Sequence, residues 1–218
     1  MISNESTDRP NLESFFRLLA TGSGPALFNP WTQRDELNDA ALNGPAARRQ
    51  RLRAHLRLQP SRILLGEAAG YQGCHVSGIP FTSERLIMSG GVPRVSSKGQ
   101  RLSTRKRPWS EPSATTVWRT LHALEIADDT ILWNAYPWHP HLPGKPHSNR
   151  TPNRTERALG MPVLDALLRA FPRAALFAVG RHAQQALREF GRDAIALRHP
   201  SMGGATLFHH ALRAALRQ

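Results

Sequence analysis

Four short apolar runs, each ending in a polar loop, constrain the fold of this chain more than any other feature. The stretches between them have the periodicity of helices, and parallel strands need such helical crossovers. The alternation therefore predicts βαβ units, and a chain of 218 residues can bury one sizeable core. We expect a single α/β domain over residues 1–218, with a central, mainly parallel four-stranded sheet flanked by helices. The predicted strands are RILLGE (62–67), TILWNAYP (130–137), AALFAVG (174–180) and DAIALRHP (193–200).

Helical periodicity recurs between and around these strands. Ser110 is the predicted N-cap of the helix that follows it, with Pro112 in its first turn. Gly160 and Pro162 predict a break in a later helix. Residues 88–108 are rich in Gly, Ser, Lys and Arg, which predicts a mobile basic segment. The predicted helices cover residues 11–20, 36–58, 110–125, 155–171, 181–190 and 208–217.

The charge balance predicts a polyanionic partner. The chain carries 29 Lys and Arg against 16 Asp and Glu, a formal net charge of +13. Residues 48–57 and 85–107 hold much of the excess, and a solvated basic face is the alternative for either cluster. No run approaches the roughly 20 apolar residues needed to span a bilayer, and the N-terminus lacks a charged-then-apolar signal pattern. We therefore expect a cytoplasmic protein without membrane association.

Polar side chains stand where the predicted strands end. Ligands of open parallel sheets bind in the crevice beyond the carboxyl ends of the strands. Glu67, Asn134, His199 and either Arg181 or His182 occupy such ends. An acid, an amide and a histidine that meet there can read a base and act on it. The alternatives are that Asn134 is a turn residue and that His199 only approaches the last helix.

Neither a disulfide nor a metal site is expected. Cys74 is the single cysteine, so no internal disulfide and no site of several thiolates can form. We interpret it as an ordinary core or loop thiol. His139, His141 and His147 lie close together in WHPHLPGKPH, but no acid or cysteine accompanies them at the spacing of metal ligands.

Three short motifs carry a resemblance to a known family. They are GEAAG (66–70), WNAYP (133–137) and RHPS (198–201), and Phe81 follows Gly66 by 15 positions. In this order and spacing they resemble the uracil-DNA glycosylase superfamily, from about Ile63 to the C-terminus. The pattern is most similar to the family four and family five enzymes, with a Pro-rich link, PGKPHSNRTPNRTE, that is similar to family four. The four cysteines that ligate the iron–sulfur cluster of those relatives are missing.

The resemblance implies a DNA glycosylase that flips uracil, or a related deaminated base, out of DNA and hydrolyses its N-glycosidic bond. Hydrolysis needs only water, so no cofactor is expected. The resemblance implies that Asn134 reads the base edge, that Phe81 stacks on the base and that His199 donates to the oxygen of the departing base. Ala68 and Gly70 stand where the main uracil enzyme has an acid and a tyrosine, which predicts a site less strict toward 5-substituted pyrimidines. The predicted base-binding set is Asn134, Phe81, Gly66, Ala68, Gly70 and Tyr71.

The catalytic acid stays open at this point. Glu67 is the acid of the first motif, and Glu84 lies three residues after Phe81, where the resemblance to the family five enzymes places an acid implicated in catalysis. Met202 follows the third motif at the place where relatives insert a side chain into the base stack, and a buried methionine is the alternative. The predicted DNA-binding set is Ser201, Met202, Arg101, Arg105, Lys106 and Arg107.

Two other functions remain open. One is a glycosylase for hypoxanthine or xanthine, which Ala68 and Gly70 favour. The other is a DNA-binding protein that has kept the fold and lost catalysis, against which Asn134 and His199 argue. In each case the expected partner is DNA, and we expect a monomer associated with the nucleoid.

Overall fold

A four-stranded parallel sheet organises the chain in this computed structural model, which describes residues 12–96 and 99–217. In chain order the elements are α1 (Glu13–Leu19), β1 (Leu27–Phe28), α2 (Pro45–His55), β2 (Arg62–Ala68), α3 (Cys74–Ser77), α4 (Glu84–Met88), α5 (Pro112–Ala123), β3 (Thr130–Tyr136), β4 (His139–Pro140), α6 (Arg154–Ala170), β5 (Ala175–Val179), α7 (Arg181–Glu189), β6 (Ile195–Leu197) and α8 (Ala205–Ala215). The strand order of the sheet is β3-β2-β5-β6, and every neighbouring pair is parallel. The predicted α/β fold is thus confirmed. The short strands β1 and β4 form a separate antiparallel pair that the sequence did not predict.

The sheet is buried on both faces because residues 63–65 of β2 and 131–133 of β3 are continuous apolar runs. Ile63 and Leu65 of β2 face one core cluster, which also contains residues of α1, α6 and α7. Leu64 faces the other, which contains residues of α5 and α8. Alternate side chains of a strand point to opposite faces, so a continuous apolar run is what a sheet covered by helices on both sides requires.

Residues 36–44 are not helical, which corrects the predicted start of the second helix. Asp35 Oδ1 accepts the backbone N–H groups of Leu37 and Asn38, at 3.2 and 3.3 Å. Asp39 Oδ2 accepts the N–H of Asp35 at 2.9 Å. Asp side chains compete with helical hydrogen bonds in this way. The helix begins only after Gly44, with a proline in its first turn.

Two other predicted helix details are wrong. Glu111, not Ser110, is the N-cap of α5, and its side chain makes no capping hydrogen bond. α6 runs through Pro162 without a break. Its start is firmly held because Asn153 and Glu156 form a reciprocal capping box. Pro162 is exposed, so water can solvate the carbonyl that loses its helical partner.

The first basic cluster is internal at Arg48 and Arg51 and exposed at Arg53 and Arg57, so its interpretation as one surface for a polyanion is corrected at the two buried positions. Arg48 is fully buried and forms a salt bridge with Asp39. Arg51 is 5% exposed and donates to the carbonyl oxygen of Ser77 at 2.7 Å. These guanidinium groups join α2 to neighbouring loops and are not available to phosphates.

The predicted mobile segment is an irregular stretch with several points of attachment. The N–H of Gly99 donates to the carbonyl oxygen of Met88 at 2.9 Å, and Thr104 donates to Asn38 at 2.8 Å. Leu102 is fully buried. Ser97 and Lys98 lie outside the described residues. Among the described helices, none is both long and apolar enough to cross a membrane.

Candidate active site

A cavity of about 490 Å³ opens at the carboxyl edge of the parallel sheet. This is the edge at which the sequence predicted a ligand, and the volume lies within the ordinary range for small-ligand sites, roughly 300–1,000 Å³. Its walls come from the ends of β2 and β3, from the loop after β6 and from the segment before α5. The polar residues in its lining are Glu67, Gln72, Glu111, Ser113, Asn134, Asn149, Arg150, Thr151, His199 and Ser201, and its apolar lining includes Phe81.

The end of β2 is shaped so that an aromatic ring and an amide meet at a glycine. A Cβ atom at Gly66 would lie 2.5 Å from Cζ of Phe81 and 2.7 Å from the Asn134 amide, so any larger residue would displace both. Phe81 has a φ of 50°, a backbone conformation that costs energy for a residue with a side chain. Strain of this kind is concentrated at functional sites. Gly66, Phe81 and Asn134 therefore form one packed unit in the wall of the cavity.

The Asn134 amide is held by backbone groups on both sides. In the amide orientation that satisfies both neighbours, its oxygen accepts the N–H of Ala69 at 3.1 Å and its nitrogen donates to the carbonyl of Trp133 at 3.3 Å. The side chain is almost fully buried. One N–H and one oxygen lone pair remain, which is the pairing that a uracil edge, with its O4 and N3–H, requires.

His199 presents a defined tautomer. The backbone N–H of Ser201 points at Nδ1 of His199 over 3.2 Å, and the Ser201 hydroxyl lies 2.7 Å from the same atom. A backbone N–H can only donate, so Nδ1 accepts and the ring proton of the neutral imidazole is on Nε2. Burial, with a smaller contribution from the charge of Arg198, lowers the pKa of His199. The residue is therefore a neutral N–H donor at neutral pH.

The space beside Gly70 is smaller than the sequence suggested. A Cβ atom there would lie 3.6 Å from the Asn149 amide, which is ordinary van der Waals distance. Asn149 Oδ1 accepts the N–H of Tyr71 at 3.1 Å, and this bond joins the first motif to the Pro-rich link. Ala68 lines the cavity without adding a charge. Gly70, which stands where the main uracil enzyme has a tyrosine, thus has Asn149 of the Pro-rich link as its neighbour.

Glu84, one of the two candidate acids, does not line the cavity and is fully buried. Its Oε1 accepts from Arg101 Nε and from the N–H groups of Leu102 and Ser103, at 2.9, 2.9 and 3.0 Å. Its Oε2 accepts from the Ser103 hydroxyl at 2.6 Å and the N–H of Trp109 at 2.9 Å. Burial alone raises the pKa of a carboxyl, but these donors hold the pKa of Glu84 below its usual value. The carboxylate has no capacity left for a substrate, and we withdraw it as a catalytic candidate.

Glu67, the other candidate acid, does line the cavity. Its side chain is one-third exposed, and Oε1 has no hydrogen-bond partner among the described residues. The nearest cation-forming group is Nδ1 of His182, at 3.8 Å. The carboxylate is therefore free to bind a sugar, a water molecule or a base.

Glu111 is a second cavity acid, and sequence reasoning missed it. Its carboxylate makes no hydrogen bond with the part of the chain that the structure describes. Burial raises its pKa to about 7. Gly73 makes room for it, because a Cβ atom at Gly73 would collide with Oε2 of Glu111. The signals in the sequence were an acid directly before the first proline of a helix and a glycine in the turn after the first motif, and neither is specific.

Cys74 also borders the cavity but is buried, and burial raises the pKa of its thiol. A thiol that resists ionisation is a poor nucleophile. The structure agrees with its interpretation as an ordinary core thiol.

Met202 lies on the exposed loop that carries His199. Its side chain is 92% exposed and its φ is 53°, so the alternative of a buried methionine is wrong. Ser201 borders the cavity at the same loop. An unbranched apolar side chain standing in solvent beside a base-sized cavity is suited to insertion between bases.

The predicted basic DNA contacts divide into two kinds. Arg101 forms an ion pair with Glu84 and donates to the carbonyl of Arg105, so its guanidinium is already engaged. Lys106 and Arg107 are exposed, and the exposed Arg105 guanidinium stacks on the ring of Trp109 at 3.8 Å. Arg105, Lys106 and Arg107 thus remain as candidates for phosphate contacts.

Comparison with known proteins shows the family and the fold of the chain. The family model of the uracil DNA glycosylase superfamily matches residues 54–211, which include all three motifs and the whole cavity edge of the sheet. A comparison with curated proteins gives no match.

Among solved structures, the wild-type Pedobacter heparinus SMUG2 crystal structure is similar, with a TM-score of 0.57 at 14% sequence identity. The similarity covers 94% of this chain and 95% of that chain, and at this identity it shows a shared fold. Because the family model spans well over half of the sequence, the chain belongs to the uracil DNA glycosylase superfamily, whose members are hydrolases that act on DNA.

Proposed function

We propose that this protein excises uracil, or a related deaminated base, from DNA by flipping the nucleotide and hydrolysing its N-glycosidic bond. The observation that carries the proposal is the convergence of Asn134, His199, Phe81 and two acids on one cavity at the carboxyl edge of the sheet. A base inside a duplex is out of reach of such groups, so it must leave the stack to enter the cavity.

Asn134 and Phe81 would recognise the flipped base. Phe81 offers a ring face for stacking, which favours any base. The Asn134 amide, held by Ala69 and Trp133, offers one donor and one acceptor. Cytosine carries an amino group where uracil has O4. The N–H of an Asn134 amide oriented for uracil would face this amino group, and two donors cannot form a hydrogen bond.

His199 would stabilise the leaving base. Cleavage of the C1′–N bond leaves negative charge on the base and positive charge on the sugar. The Nε2–H of a neutral imidazole is a donor for the developing charge on the base oxygen, and it is already oriented by Ser201. The low pKa of His199 keeps this donor neutral, so it does not form a stable ion pair with the substrate in the ground state.

Glu111 would activate the attacking water, and Glu67 would act on the sugar side. A general base works best when its pKa lies near the operating pH, and burial gives Glu111 a pKa of about 7. The free Oε1 of Glu67 lies in the same lining and can favour the cationic sugar. Met202 would fill the gap that the flipped base leaves in the stack.

A panel of labelled oligonucleotides tests the function. Uracil, hypoxanthine, xanthine and mismatched thymine are placed in single and double strands, and abasic product is measured by alkaline cleavage. We expect release of uracil by the wild type and at least about tenfold slower release by Asn134→Asp, since a lost bidentate base contact costs about 1–3 kcal/mol. Failure to release any of the four bases at enzyme excess would leave a DNA-binding protein and refute the proposal.

One observation favours hypoxanthine or xanthine as the substrate instead. Asn149 Oδ1 is engaged by Tyr71, while its amide nitrogen lies 3.6 Å from the Cβ position of Gly70 and borders the cavity. A free amide donor at that wall suits a carbonyl oxygen of a larger base. If Asn149→Ala lowers release of hypoxanthine or xanthine and leaves uracil release unchanged, the purine function is the correct one.

The exposed basic side chains predict a salt effect. If Arg105, Lys106 and Arg107 contact phosphates, replacing all three with Gln should flatten the dependence of log K on log salt by up to about 2.7, at roughly 0.9 per duplex contact. Fluorescence anisotropy over a range of salt concentrations measures the slope. A double variant of Arg53 and Arg57, which are exposed on or just after α2, shows by its own slope whether the exposed part of the first basic cluster also contacts phosphates. An unchanged slope in the triple variant would show that these charges face only solvent.

A further inference from the structure

Asp35, His75 and His147 bring three ligand atoms together outside the cavity lining. Nε2 of His75 lies 3.2 Å from Oδ2 of Asp35, and Nε2 of His147 lies 3.1 Å from the same oxygen. All three atoms lie within 4.8 Å of one another. A metal site near His147 was not expected from the sequence, because no acid or cysteine accompanies it there at the spacing of metal ligands. The fold supplies one from a loop 112 positions away.

The hydrogen bonds behind His75 determine which of its nitrogens carries a proton. Nε2 of His139 lies 2.8 Å from the carbonyl oxygen of Ser148, which can only accept, so Nε2 is protonated. In a neutral imidazole Nδ1 of His139 is then an acceptor. It lies 2.9 Å from Nδ1 of His75, which must therefore donate. Neutral His75 thus points the unprotonated Nε2 at the carboxylate of Asp35.

His147 points a second lone pair at the same place. Nδ2 of Asn38 lies 3.0 Å from Nε2 of His147, and an amide nitrogen can only donate. The orientation of this amide is set because Nδ2 also lies 3.2 and 3.1 Å from the two carboxylate oxygens of Asp35. Nε2 of His147 therefore accepts. With both rings neutral and in these tautomers, two imidazole lone pairs and one carboxylate oxygen face each other.

We propose that Asp35, His75 and His147 bind a divalent transition-metal ion of the zinc class. Two imidazoles and a carboxylate form a ligand set that such ions prefer. Ligand bonds of about 2.0–2.1 Å in a tetrahedron set neighbouring ligand atoms roughly 3.3 Å apart. The two nitrogen–oxygen separations, 3.1 and 3.2 Å, need little adjustment to reach this value, and the two imidazole nitrogens lie within 4.8 Å of each other. One ion between the three atoms removes both lone-pair conflicts, whereas a single added proton removes one.

The surroundings of the cluster match those of a structural metal site. The Asp35 and His75 side chains are 10% and 2% exposed, while His147 is 31% exposed and leaves a path for the ion and for a fourth, water ligand. Phe28 stacks on the ring of His75 with centroids 3.7 Å apart, which fixes the ring. The bond from His75 to His139 is the outer contact that orients a metal-binding imidazole.

The ion would join the loop before α2 to two segments that border the cavity. Asp35 lies in the loop before α2, His75 lies in α3 after the first motif, and His147 lies two residues before Asn149, a cavity residue. With no disulfide available to this chain, a metal ion is the remaining strong cross-link between these loops. Its role would be to hold the Pro-rich link against the first motif, and no catalytic step passes through it.

Cobalt provides a direct test that does not depend on glycosylase activity. Untagged full-length protein is treated with chelator, dialysed and titrated with Co²⁺, whose visible absorption reports tetrahedral coordination. We expect saturation at one equivalent, loss of the spectrum on addition of one equivalent of Zn²⁺, and a higher Tm with Zn²⁺ than without. A folded wild-type protein that takes up no cobalt would overturn the proposal.

Two ligand variants and one control locate the ion. His147→Gln and Asp35→Asn should each weaken metal affinity by at least about tenfold. Changing a residue that only supports a metal ligand already costs about 10–100-fold, so loss of a ligand itself should cost no less. His210→Gln, which removes an exposed histidine next to His209 on α8, should bind metal as the wild type does. His147 is partly exposed, so its variant should fold, which circular dichroism checks. Unchanged affinity in His147→Gln, or an equal loss in His210→Gln, would show that the metal binds elsewhere and that the proposal is wrong.

Discussion

Replacing His199 with alanine is expected to slow single-turnover base release by about 10²–10³-fold, roughly 2.7–4 kcal/mol of transition-state stabilisation. The Nε2–H of His199 would meet charge only as the bond to the base breaks, so its loss should affect the chemical step. DNA affinity depends mainly on phosphate contacts and should change little. Rapid-quench measurement of abasic product at enzyme excess gives the rate, and fluorescence anisotropy gives the affinity.

His210→Ala is the control for this experiment. His210 is exposed on α8 and does not line the cavity. Its loss should leave the rate near that of the wild type. Equal rates for His199→Ala and the wild type would mean that the third motif has only a structural role.

The fold was predictable because its signals are local. Residues 63–66 of β2 and all of β3 are buried, and short apolar runs bounded by turn signals are typical of strands in a sheet covered on both faces. The same strands fixed where Glu67 and Asn134 would lie, since the carboxyl end of a parallel strand is at one known edge. Residues directly attached to strand ends were thus placed correctly by periodicity alone.

Residues on loops could not be placed in this way. Arg48 and Arg51 have the composition of a nucleic-acid surface, but Asp39, Asn43 and the Ser77 carbonyl turn them inward. Glu84 and Glu111 are both acids in irregular stretches. The Glu84 carboxylate accepts from five donors, whereas the Glu111 carboxylate has no donor among the described residues. Only the tertiary structure shows this difference, because the donors to Glu84 lie 17 or more positions further along the chain.

Replacing Glu111 with glutamine is expected to reduce single-turnover release by about 10²–10⁴-fold, the usual contribution of a general base. Glutamine keeps the shape of the side chain beside Gly73 and removes the charge. Glu67→Gln is made beside it and should show a comparable loss if the sugar cation needs that carboxylate. Glu84→Gln should instead lower Tm, since a buried network of five donors loses its charged acceptor, with the rate following only the folded fraction.

The pH dependence separates a base from a merely structural acid. With a pKa of about 7, Glu111 is protonated at pH 6 and ionised at pH 8. The wild-type rate should therefore rise with pH through about 7, and this rise should vanish in Glu111→Gln. The folded-state pKa lies above the value of 4.5 for an unperturbed glutamate. Its contribution to stability is thus fully present below pH 4.5 and is lost as the pH rises through 7.

Thermal unfolding provides the independent readout of that pKa. Between pH 6 and pH 8 the wild type should lose more stability than Glu111→Gln, which has no carboxyl to ionise. A parallel pH dependence of Tm in the two proteins would mean that the Glu111 carboxyl titrates normally, and the argument for it as the base would fail. If Glu111→Gln also cleaves at the wild-type rate while Glu67→Gln does not, Glu67 would both activate the water and stabilise the sugar cation. The attacking water would then lie beside the end of β2, which carries Glu67.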